Sequence, residues 1–168
     1  MPRRVERSYT QRFRAPAVEV FPMLCPVREY EWIEPWKCDL LHTNSGIAEL
    51  DCVFTARFEG EDEDDVWVVS RYEPPSLIEF VRTNTARVMR YSIALEDNGD
   101  GTTTARNVQI LTALRGHSLD SYTPEAFTFE MRMGEAMLNH FLETRERLPL
   151  SEAVAIATAT SCAAPDRF

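Results

Sequence analysis

Residues 123–147 read TPEAFTFEMRMGEAMLNHFLETRER, and their period is helical. Thr123 is a strong N-cap, Pro124 suits the first helical position, and Glu125 complements the positive end of the helix dipole. Phe127, Met131, Gly134, Leu138, Phe141 and Leu142 follow on one side as an apolar stripe reaching to about Arg147, and Pro149 supplies a stop. No other segment carries an amphipathic pattern of this length. A sheet with one apolar face must be covered, and this helix is the element available to cover it.

The sheet is legible upstream, where the period is two. Residues 39–43 form a short candidate strand ended by the turn signal Asn44-Ser45-Gly46. In residues 47–58, Ala48, Leu50, Cys52, Phe54, Ala56 and Phe58 alternate with Glu49, Asp51, Thr55 and Arg57, which predicts one long half-buried strand. An acidic hairpin tip is expected at 60–65, with further strands at 66–72, 77–82, 88–96 and 102–114. Residues 5–14 are extended in character and precede two short helices, at 17–24 and 27–33, which Pro35 closes. Short links between alternating segments imply an antiparallel meander. The fold class is therefore α+β: a curved antiparallel sheet of six to seven strands around a long C-terminal helix, with two short helices after the first strand. One domain is expected over 1–148, and the Ala/Ser/Thr-rich tail 149–168 is expected to be frayed or disordered. A sheet bent around one helix tends to leave a cavity instead of a solid core.

Composition excludes several classes. The 168 residues are 44% hydrophobic and 27% charged, ordinary for one globular domain with a sizeable core. Eighteen basic against 27 acidic residues give a net charge of −9, which disfavours nucleic acid and anionic lipid surfaces. No apolar run is long enough to span a bilayer and the N-terminus has no apolar signal core, so no membrane insertion and a cytoplasmic location are expected. Cys25, Cys38, Cys52 and Cys162 then read as reduced thiols. Cys25, Cys38 and His42 match no zinc spacing and lack a fourth ligand, so neither metal nor cofactor is expected. Residues 97–101 lack the acids of a calcium loop and read as a turn.

The element order resembles the START/Bet v 1-like superfamily, the helix-grip fold also labelled SRPBCC or polyketide cyclase-like. Local segments sharpen the resemblance: Phe21-Pro22-Met23-Leu24-Cys25-Pro26-Val27-Arg28-Glu29-Tyr30-Glu31-Trp32 with Trp36-Lys37-Cys38, Ser45-Gly46 with Cys52-Val53-Phe54, Trp67 through Tyr72, and Thr112-Ala113-Leu114. They look like a bacterial branch of that superfamily with no assigned reaction, over roughly residues 8 to 145. The resemblance implies a hydrophobic cavity under the long helix, used by members as carriers, receptors, cyclases or aromatases.

Candidate site residues follow. Trp32 and Trp36 could wall an apolar ligand whose polar end meets Arg28, Glu29 or Glu31; they could equally plug the sheet beside a surface ion-pair cluster. Trp67, Tyr91 and Thr112 are placed on central strands, with Tyr91 in phase with Met89 and Ile93. Arg71, four residues after Trp67, would face the same way and serve as a counter-ion. Met131 and Leu138 on the long helix complete the expected lining, Met being an adaptable one. Glu31 and Glu49 are the candidate catalytic carboxylates, although Glu49 occupies the polar phase of its strand and would need a bulge to turn inward. The leading expectation is a small hydrophobic ligand, lipid-like or polyketide-like, bound by a monomer or homodimer. A cyclase, dehydratase or hydrolase acting through Glu31 or Glu49 is the alternative, and a protein-interaction module with a filled interior the third.

Overall fold

The computed structural model describes residues 3–57 and 63–162. Strand β1 (Arg4–Phe13) leads into helix α1 (Ala17–Val20), a 3-10 turn (Phe21–Leu24) and helix α2 (Pro26–Glu29). Six strands follow: β2 (Cys38–His42), β3 (Val53–Ala56), β4 (Asp65–Glu73), β5 (Leu77–Thr83), β6 (Arg87–Asp97) and β7 (Thr103–Ala113). Helices α3 (Pro124–Thr144) and α4 (Leu150–Cys162) end the described chain. The seven strands form one antiparallel sheet in the order β1-β7-β6-β5-β4-β3-β2. The first strand thus closes against the last, and the meander runs back from there.

One sheet face is apolar because alternate residues of each strand point the same way. Phe54, Trp67, Phe80, Ile93, Ala105 and Leu111 lie on it and are buried. Helix α3 covers this face with Phe127, Met131, Met137, Leu138, Phe141 and Leu142. Its start is capped as expected, with the Thr123 side chain accepting the Ala126 N–H at 3.1 Å. Its end differs: Arg145 takes a left-handed conformation and donates its N–H to the Phe141 carbonyl, so the helix stops at Thr144.

Three expectations are corrected. The stretch 47–58 is not one strand, because Asp51 sits at φ 66° and leaves only Val53–Ala56 in the ladder. The turn before it is held by the Asn44 N–H donating to Glu49 and the Thr43 hydroxyl donating to the Ile47 carbonyl. The residues after Pro149 are helical, not frayed, through Cys162. The Pro149 carbonyl accepts from Glu152 and Ala153, and Ala153 and Ala157, one turn apart, are fully buried. Small side chains at that spacing let α4 pack closely, so the Ala-rich composition is an interface signature. The acidic tip lies partly outside the described residues, at 58–62, but Asp65 belongs to no tip. It is fully buried, in phase with Trp67, and accepts from Arg82 and Arg87 at Oδ2 and from Asn84 at Oδ1.

Among the described residues no helix is long and apolar enough to cross a membrane, and no cluster of His, Cys, Asp and Glu could hold a metal ion. Cys25, Cys38 and Cys52 are free thiols.

A solvated carboxylate and a buried one respond differently to truncation. Asp65→Ala removes the carboxylate that two buried guanidinium groups share, and we expect a loss of about 3–5 kcal/mol in urea unfolding. A change below about 0.5 kcal/mol, the level of an exposed site, would contradict the buried arrangement.

Candidate functional site

Between the apolar sheet face and α3 lies a cavity of about 680 Å³, within the range of small-molecule sites. Six of the seven strands contribute to its wall: Gln11 from β1, Phe54 from β3, Trp67 from β4, Phe80 from β5, Tyr91 from β6 and Asn107 from β7. Six neighbouring strands laid flat span roughly 24 Å, whereas a sphere of this volume is about 11 Å across. Only a concave sheet brings all six to one space.

The wall is largely aromatic. Phe54 and Trp67 stack with ring centroids 5.5 Å apart, and Phe80 meets both edge-on at 6.2 and 5.6 Å. Trp32 and Trp36 come from the segment after α2. Their indole N–H groups donate to the Met23 and Pro26 carbonyls at 2.9 and 2.8 Å, which ties that segment down with both residues on the lining. All three tryptophans of the chain therefore border one cavity.

A polar seam crosses the interior. The Tyr91 hydroxyl donates to Asn107 Oδ1 at 2.7 Å, Asn107 Nδ2 donates to Gln11 Oε1 at 2.9 Å, and Gln11 Nε2 donates to the Met131 carbonyl at 2.8 Å. The seam joins three elements, β6, β7 and β1, to α3. Burial, with a smaller contribution from the charge of Glu29, pushes the Tyr91 hydroxyl well above the ordinary phenol range. Tyr91 is thus a neutral hydrogen-bonding group.

Glu29, the last residue of α2, is the carboxylate on this lining that burial perturbs. Desolvation raises its pKa from the usual carboxylate range to about 8, and no protein group among the described residues donates to it. By surface area Glu29 is half-buried, and it lies on the cavity lining. A carboxyl in this state can donate a proton near neutral pH or, once ionised, hold a cation.

The expected residues separate into two sets. Trp32, Trp36, Trp67, Tyr91, Met131 and Leu138 lie on the lining. Arg28, Arg71 and Thr112 do not, and neither do the carboxylates Glu31 and Glu49. Arg28 and Glu31 form a bidentate pair at 2.6 and 3.1 Å on the outside of the segment, which holds the Glu31 carboxyl below its usual range. Glu49 is turned to the 43–47 loop, where the Asn44 N–H lowers its pKa. Arg71 shares a face with Trp67 only in an unbroken strand; the register shifts between Val69 and Arg71, so Ser70 is an extra residue. Tyr72 then turns inward and Arg71 outward, where it meets Glu73 at 2.7 Å. Thr112 lies between the inward Leu111 and Ala113 and points to solvent.

The buried polar residues had a signal that sequence reasoning passed over. Gln11 shares its phase with Phe13, Asn107 with Ala105, Arg82 with Phe80, and Asp65 with Trp67. A polar side chain in the apolar phase is the informative departure from alternation.

Glu29 also carries a stability signature. Its folded pKa of about 8 exceeds that of an unfolded glutamate, so the folded state holds the proton more tightly. Its contribution is complete below about pH 4.5 and declines as pH rises through 8. We expect Glu29→Gln to raise Tm by several degrees at pH 8.5 and by little at pH 5, measured by thermal melts across that range. An equal shift at both values would contradict the placement of Glu29.

No protein-family model matches the chain, and no curated protein matches it. Solved structures do. DynU16, a protein of the dynemicin biosynthetic locus, superposes with TM-score 0.60 at 17% identity, over 84% of this chain and 48% of that one, so this chain spans about half its length. Ara h 8.0201 superposes with TM-score 0.64 at 10% identity over 84% and 99% of the two chains. Norcoclaurine synthase from Thalictrum flavum, solved in complex with dopamine and hydroxybenzaldehyde, gives TM-score 0.58 at 12% identity over 84% and 88%. At these identities the likeness speaks to architecture, and with the open seven-stranded sheet and long C-terminal helix it establishes that this chain has the Bet v 1-like, helix-grip fold.

Proposed function

We propose that the protein binds a small hydrophobic or amphipathic molecule, lipid-like or polyketide-like in its apolar extent, in the cavity between the sheet and α3. The observation that carries this reading is the cavity itself: about 680 Å³ left open beside an aromatic wall, between the sheet and the helix that covers it. Empty apolar volume costs stability, because the surrounding side chains lose their dispersion partners. An occupant recovers that cost. One fold neighbour, norcoclaurine synthase, was solved with dopamine and hydroxybenzaldehyde bound, which supports the reading. On this reading the protein acts in the cytoplasm on a small molecule, as a monomer or homodimer.

The enzyme alternative loses its two named carboxylates, since Glu31 and Glu49 lie outside the cavity. The interaction module required a filled interior and loses its premise with the cavity.

The test uses Nile red, a neutral apolar dye, as probe. We expect saturable binding at one dye per chain, a blue-shifted dye emission and a matching change in tryptophan emission from the cavity wall. Gly134 lies on the lining in α3, and a Cβ there points toward Gln11 Nε2 at 3.6 Å. Gly134→Leu extends a side chain into the space while retaining helix propensity, and should weaken binding by about tenfold or more with unchanged circular dichroism. Dye binding that Gly134→Leu leaves unaltered would locate the ligand elsewhere.

A further inference from the structure

We infer that the cavity selects a molecule whose apolar body carries one cationic amine, and that the Glu29 carboxylate holds that amine. The inference rests on the binding reading above and names the chemistry of the occupant.

Three observations lead to it. First, Glu29 ends α2 on the cavity lining, with no N–H or O–H among the described residues donating to its carboxylate. A partly desolvated carboxylate without a protein donor is held at a cost, and a ligand can supply the donor. Second, Trp32, Trp36 and Tyr91 border the same space, and aromatic faces attract cations most strongly where water is excluded. Third, acidic side chains outnumber basic ones on the lining, three to two. Glu34 and Glu130 share it with Glu29. Of its two arginines, Arg82 donates to Asp65 and lies 4.9 Å from the Trp67 ring centre, while Arg7 donates to the Tyr122 carbonyl at 2.6 Å and keeps its Nε buried without a hydrogen-bond partner.

The neighbours of Glu29 supply it with no positive charge. Cys38 from β2 and Tyr91 from β6 are raised above their ordinary pKa by burial and by the charge of Glu29, and are neutral at neutral pH. Arg28, on its own helix, is bound by Glu31. A neutral ligand leaves Glu29 protonated, an anionic one meets repulsion, and an ammonium group completes an ion pair. Below about pH 8 that pairing releases one proton from Glu29, so amine affinity rises with pH, about tenfold per unit well below 8, and levels off above it.

The experiment compares decylammonium, decanol and decanoate, one chain with three end groups, by titration calorimetry at pH 9. There Glu29 is mostly ionised, while an alkylamine, lysine-like with a pKa of about 10.4, keeps its charge. We expect decylammonium to bind about tenfold or more tighter than decanol, and decanoate weakest. Glu29→Gln should bring decylammonium and decanol within about threefold of each other. Glu31→Gln, on the outer side of the same segment, should retain the full preference. Decanol binding equal to or tighter than decylammonium, a decanoate preference, or a preference that survives Glu29→Gln would overturn the amine assignment and leave the cavity reading standing. Failure of all three to bind would overturn the cavity reading itself.

Discussion

A sheet that curls around a single helix encloses more volume than that helix can fill. Every feature of this protein that bears on function descends from that mismatch. The 21 residues of α3 seal one side of the concave sheet with an apolar stripe, and the space they leave is bordered by six strands and by the tryptophan-bearing segment after α2. The two indole N–H bonds hold that segment to the backbone of residues 23–26, so its tryptophans are held on the lining. Helix α4 packs on α3 through Ala153 and Ala157 and brings Leu150 and Val154 to the lining.

The same cavity explains why polar groups persist inside. The seam from Tyr91 through Asn107 and Gln11 to the Met131 carbonyl satisfies its own hydrogen bonds, so it stiffens the joint between sheet and helix at little cost. The Asp65 cluster does similar work at the far end of β4 and β5, where one carboxylate is shared by Arg82, Arg87 and Asn84. Glu29 differs from these clusters: desolvation raises its pKa to about 8, and no donor among the described residues offsets the cost.

Much of the architecture was legible before any coordinates. The helical stripe from Phe127 to Leu142, the Thr123 cap, the alternation on the central strands and the placement of Tyr91 beside Met89 and Ile93 all rest on local periodicity, which backbone geometry enforces. The errors fall where a single residue breaks that periodicity. Asp51 in a left-handed conformation ends a strand that alternation would continue, and Ser70 as an extra residue turns Arg71 from the cavity to solvent. Thr112 was legible and misread, because its neighbours Leu111 and Ala113 already occupied the inner phase. The helical tail was missed for another reason: alanine stripes carry almost no amphipathic contrast, so a helix buried through alanines resembles a featureless tail.

The sequence by itself determined the class of fold, the identity of the covering helix and most of the aromatic wall, because side-chain period and strand or helix geometry are linked within a few residues. Which carboxylate meets the ligand space was decided only by tertiary structure. Glu29 and Glu31 are two residues apart on one short segment and chemically alike. The turn of that segment sends Glu31 to Arg28 at the surface and Glu29 into the cavity, and the loss of water there alone makes one of them different from the other.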